Sequence, residues 1–160
     1  MAFVVRWLSK PAVFAGAVLS TACSSTPTIG PSVAGLVESG STTPPVRLVE
    51  CPSSPNCISS VTADTKKQTA PFNLAGLDVV GFQSNLVSAI ENDGGVVRDA
   101  REGYIWATYT SSVFRFVDDT EWLFNQATNQ FDVRSASRVG YSDLGVNRKR
   151  VERLRSLINP

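Results

Sequence analysis

Acids and arginines gather in the last third of the chain. Asp118, Asp119 and Glu121 fall in V-D-D-T-E-W, and Arg134, Arg138, Asn147 and Arg148 in V-R-S-A-S-R-V-G-Y-S-D-L-G-V-N-R-K-R. Three chemistries fit these types. Crowded carboxylates raise one another's pKa and can serve as the acid and base of a hydrolase, since glycoside hydrolysis needs only two of them. Arginines beside the N–H groups that start a helix hold a carboxylate or phosphate. Alternatively the acids pair with the arginines and fix strand register and helix docking. The balance favours that structural pairing with an interaction surface beside it. No catalytic residue is assigned, and no cofactor or metal is implied.

The chain contains no histidine. That removes Ser-His-Asp and Cys-His catalysis, histidine metal sites and a histidine pH switch. No nucleophile–base pair is visible either, so the reading leans away from an enzyme. The formal net charge is +1. Residues 113–155 hold eight basic residues against six acids, too small an excess for a nucleic-acid face.

The elements that must position these residues follow from periodicity. Val79, Phe82, Leu86, Ala89 and Ile90 recur at helical spacing over residues 77–92, stopped by Gly94-Gly95. Period-two segments follow at residues 104–110, 113–117, 122–124 and 131–139. In the second, Phe114 and Phe116 are expected to face the core, with the acids at the turn that follows. In the last, Phe131, Val133 and Val139 share one face and Asp132, Arg134 and Arg138 the other. Asp143 is expected to cap a final helix with the stripe Val151, Leu154, Leu157 and Ile158. Asn147, four before Val151, should point inward and need a hydrogen-bond partner. Arg148, Glu152 and Arg155 should form an exposed row. The expected fold is α+β: an antiparallel meander of four to five strands flanked by an N-terminal and a C-terminal helix on one face.

The segment C-P-S-S-P-N-C, Cys51 to Cys57, is turn-rich and can close on itself. A disulfide staple is the main reading, with a metal pair or redox centre as alternatives. This segment with the following I-S-S, together with F-R-F-V-D-D-T-E-W and R-S-A-S-R-V-G-Y-S-D-L-G-V-N-R-K-R-V-E, resembles the family called domain of unknown function 1499. The resemblance spans about residues 48–158. It implies domain limits and residues that matter, but no reaction. The family's bacterial members include exported lipoproteins and its plant members look chloroplast-targeted.

Residues 1–22, M-A-F-V-V-R-W-L-S-K-P-A-V-F-A-G-A-V-L-S-T-A, place Arg6 and Lys10 before a short apolar run and small residues, the pattern of a signal peptide. Cys23 follows as in the lipobox of bacterial lipoproteins, although Ser20 stands where that pattern prefers Leu. Cys23 is therefore the expected lipidation site and membrane anchor. Ser24 resembles the neutral residue that permits sorting to the outer membrane. Cleavage removes Arg6 and Lys10 from 15 basic residues, leaving 13 against 14 acidic ones. Residues 23–46 read as the lipidated cysteine and a flexible Ser/Thr/Pro/Gly linker, and residues 47–160 as a single globular domain. The expected protein is a lipid-anchored module of the bacterial cell envelope facing the periplasm, on the outer membrane in preference to the inner. It is expected to bind or scaffold, with an envelope protein or an anionic small ligand as partner and no nucleic acid; the alternative is a carboxylate-dependent hydrolase or an anionic small-ligand binder using the Asp/Glu/Arg cluster.

Overall fold

The computed structural model describes residues 44–45 and 47–158. The export segment expected at 1–22, the lipidation expected at Cys23 and nearly all of the linker fall outside the described residues. In order, the elements are β1 (Cys57–Ser59), β2 (Phe72–Asn73), α1 (Val79–Asn92), β3 (Val96–Arg101), β4 (Tyr104–Thr110), β5 (Val117–Asn125), β6 (Gln130–Ser137) and α2 (Val146–Ile158). They form one six-stranded sheet in the order β1-β6-β5-β4-β3, with β2 also paired to β6 and every ladder antiparallel. The expected α+β architecture is present, and β3 to β6 are its meander. The short β1 and β2 bring the disulfide segment and the stretch before α1 onto the outer side of β6. No helix among the described residues is long and apolar enough to cross a membrane.

Helix α1 starts where Asp78 accepts a 2.7 Å hydrogen bond from the Gly81 amide, satisfying an otherwise orphaned donor. It buries Phe82, Leu86 and Ile90, a single stripe at four-residue spacing. That stripe meets Ile105, Trp122, Phe131 and Val133 of the sheet and Val151 and Leu154 of α2, so both helices cover the same face. The ring of Phe82 stacks on Phe131 at 5.0 Å, and Phe72 meets Trp122 edge-on at 6.2 Å. Gly95 lets the chain turn from α1 into β3 beside Tyr109. A Cβ there would lie 2.6 Å from the Tyr109 Cζ, closer than any side chain can come.

Two expectations are corrected here. Residues 111–116 are the loop between β4 and β5, closed by the Ser111 amide donating to the Phe116 carbonyl at 2.8 Å. V-F-R-F-V alternates like a strand, but Arg115 takes φ +58, a left-handed conformation that interrupts extended chain. Phe114 and Phe116 consequently stack on each other at 5.6 Å in solvent, 72% and 49% exposed. Strand β5 starts at Val117, so the acids lie within it and not at a following turn. The second correction is smaller. Beyond Ser137, Val139 is half-exposed, and Leu157 lies outside the buried stripe of α2, which runs through Asn147, Arg150, Val151 and Leu154.

Candidate functional site

Because the acids occupy a strand, period two separates them. Asp118 and Thr120 share the helix-covered face with Trp122, whereas Asp119 and Glu121 lie on the reverse face with Arg134 and Tyr104. What looks like one constellation in the sequence is two networks, one on each side of the sheet.

On the helix-covered face Asp118 receives a 2.6 Å hydrogen bond from Nη2 of Arg150. The same guanidinium lies 4.3 Å above the ring of Tyr109 and donates from Nη1 to Oδ1 of Asn147 at 2.7 Å. Asn147 is fully buried and works as a hub. Its Oδ1 also accepts from Ser135 at 2.6 Å. Its Nδ2 donates to the Asn56 carbonyl at 3.2 Å, to Oγ of Ser137 at 3.2 Å and to Oδ2 of Asp143 at 2.9 Å. Asp143 in turn accepts from the amides of Gly145 and Asn147, the capping role expected of it. Thr120 and Ser135 complete the network at 2.9 Å. One side chain thus joins β6, the start of α2 and the disulfide segment.

On the reverse face Glu121 is paired across the ladder with Arg134, 3.4 Å apart at 0% and 1% side-chain exposure. The Tyr104 hydroxyl donates to the other carboxylate oxygen at 2.8 Å. Asp119, fully buried, takes both Nε and Nη2 of Arg138 at 2.8 and 2.9 Å, and Nε1 of Trp106 at 2.8 Å. The fork-on-carboxylate geometry supplies directional strength as well as charge, and the hydrogen bond to Asp119 raises the Arg138 pKa further. Beside this face Arg47, Leu48 and Glu50 line a cleft of about 720 Å³ with Leu123 and Asp132. There Asp132 accepts from Ser60 and Asn125.

Burial, and next the charge on Glu121, push the Tyr104 phenol well above its ordinary 10.0. The folded state therefore holds this proton more tightly than the unfolded chain does. The stability so gained is complete below about pH 10 and drains as pH rises beyond it. Burial and Asp93 shift Tyr109 the same way. Urea titrations should show stability falling above about pH 10, with a shallower alkaline slope in Tyr104→Phe. An equal slope in both chains would remove Tyr104 from this account.

Arg148 does not join either network. It donates to the carbonyls of Gln68 and Lys66, both at 2.9 Å. Arg155 does the same to Ala70 and Pro71 at 2.7 and 2.6 Å, while its Nε pairs with Glu152 at 3.2 Å. The expected exposed row is thus partly a strap that ties residues 66–71 to α2. Arg150, by contrast, is a network residue beyond those the sequence motifs point to. It lies three residues after Asn147 and beside Val151, so helical periodicity alone places it on the buried stripe.

Cys51 and Cys57 form the expected disulfide, with Cα atoms 5.7 Å apart. The staple holds Asn56, which accepts the Ser137 amide at 3.0 Å and donates to the Gly140 carbonyl at 2.7 Å. Cys51→Ser/Cys57→Ser should lose about 2–2.5 kcal/mol, the loop entropy of so small a ring. Chemical denaturation of the two chains measures it, and equal midpoints would show the ring to be thermodynamically idle. Among the described residues no group of three His, Cys, Asp or Glu side chains could hold a metal ion.

A family profile described as protein of unknown function, DUF1499, matches residues 47–158. The chain belongs to that family. The DUF1499 match encloses the disulfide, both charge networks and the strap of arginines, while residues before 47 lie outside it. No curated protein and no solved structure matches the chain.

Proposed function

We propose that this DUF1499 domain is a binding or scaffolding module, held in the bacterial cell envelope by a lipid on Cys23 and facing the periplasm. One observation carries the reading. Asp118, Asp119 and Glu121 are each matched to an arginine (Arg150, Arg138 and Arg134) inside the fold. A hydrolase would need one of these carboxylates turned toward a substrate, and an anion binder would need arginines not already committed to carboxylates. Both demands conflict with this pairing, whereas a scaffold gains rigidity from it. The anchor is supported by the order of charge, apolar run, small residues and cysteine at positions 1–23.

Metabolic labelling with a palmitate analogue tests the anchor: wild type should be marked and Cys23→Ala not, and equal labelling would contradict it. Binding is tested by retention of whatever envelope partner the wild type captures in Asp119→Asn, provided the variant stays folded. Loss of a measurable turnover in that folded variant would favour the hydrolase.

A further inference from the structure

Thirteen large hydrophobic residues are exposed among the described residues, and seven of them fall in residues 113–116 and 139–146. They include Phe114, Phe116, Tyr141 and Leu144. Both segments lie at the same end of the sheet, the first after β4 and the second after β6. Residues 111–116 link β4 to β5, and the Arg138 amide donates to the Val117 carbonyl at 2.9 Å, which keeps the chain leaving β6 beside that loop. We propose that this tip seats on an anionic phospholipid surface.

Shape and backbone favour it. At 72% and 85% exposed, Phe114 and Leu144 protrude from the domain. Leu144, and Arg115 next to Phe114, both hold left-handed backbone, φ 54 and 58, which a branched or bulky side chain adopts at a cost and keeps where the surroundings require it. Charge favours it as well. Residues 111–116 carry Arg115 and no acid, and residues 144–149 carry Lys149, and Arg148 strapped to the Lys66 and Gln68 carbonyls, and no acid. The intervening Asp143 spends its carboxylate on the helix start. Aromatic and leucine side chains with a basic rim are the composition that enters the boundary between headgroups and acyl chains of anionic bilayers.

Reach supplies the third argument, and here alone the proposal rests on the tethered-module reading. The domain is entered at the opposite end of the sheet, where Pro44 and Pro45 share a cleft with Gly103 and Gln126. Seven residues of β4 separate the ends, about 20–25 Å. On that reading residues 24–46 are the tether, and a coil of that many residues would span about 25 Å. A linker whose length matches the gap gives the tip its highest effective concentration at the membrane that anchors the chain.

Hydroxyl-radical footprinting of the full chain tests the proposal, with and without vesicles of phosphatidylethanolamine and phosphatidylglycerol, alongside co-sedimentation. Oxidation of Phe114, Phe116 and Tyr141 should fall when the vesicles are added and that of Val80 should not. Arg115→Glu should weaken vesicle binding through the tip roughly 30-fold, as reversal of one charge near an anionic surface. Tip protection equal in the wild type and Cys23→Ala keeps the tip and removes the reach argument. A chain that co-sediments while its tip oxidises at the vesicle-free rate keeps the tether and overturns the tip. Equal protection on phosphatidylcholine, or protection that grows with protein concentration in the absence of vesicles, also overturns it; the latter would assign the surface to a second copy of this chain.

Discussion

Arg134→Ala should lower the unfolding temperature by about 12–20 °C or abolish folding outright, because breaking a buried pair costs about 3–5 kcal/mol. The cost comes from stranding Glu121, which has no exposure and keeps its charge-bearing oxygens near Tyr104 and Arg134. Glu121→Leu should be as damaging from the other side. Combined with Arg134→Met it should recover most of the loss, since well-packed apolar residues of similar volume replace a buried ion pair at little or no cost. Thermal unfolding of the three chains decides the matter. Two single variants with wild-type stability would mean that the pair is not buried as described.

Asn147→Leu should cost about 3 kcal/mol or more, lowering the unfolding temperature by at least about 10 °C. The side chain removed has five polar contacts, and the apolar replacement leaves the Asn56 carbonyl with only the Ser137 amide, and Ser135 and Arg150 Nη1 without the carbonyl oxygen that joins them. The damage should reach beyond α2. Amide exchange should quicken at Ser137, whose amide bonds to Asn56, because Asn147 holds that segment against β6. Unchanged exchange at Ser137 together with an unchanged melting temperature would reduce Asn147 to an ordinary buried amide.

Asn147 also shows what could be read in advance. Its place four residues before Val151 put a polar side chain on an apolar stripe, and the need for partners followed. Arg150 carried the same helical signal, but a buried arginine is credible only once its acid is known. Asp118 lies 32 residues away in the chain. V-D-D-T-E-W suggested a turn because aspartates are poor strand formers. Their partners across the β5–β6 ladder override that tendency, and partners in register are not a local property. Conversely, V-F-R-F-V had the alternation of a strand, and nothing local announced the left-handed turn at Arg115. Strand β3, V-V-R-D-A-R, went unread because an edge strand exposed at every other residue shows no apolar alternation. With three and two residues, β1 and β2 are too short to display a period. The disulfide was legible because its spacing and turn residues are local.

The proposed scaffold role requires that the acids of β5 serve the arginines of this chain and no ligand. Asp119 and Arg138 test it most directly, since Arg138 is a third exposed and its removal need not unfold the domain. A double-mutant cycle with Asp119→Ala and Arg138→Ala should give a coupling of about 1.5–3 kcal/mol, as expected for a charged fork on a carboxylate. That coupling should be the same with and without millimolar phosphate. Absence of coupling, with phosphate stabilising the wild type but not Arg138→Ala, would contradict the account and make Arg138 part of an anion site.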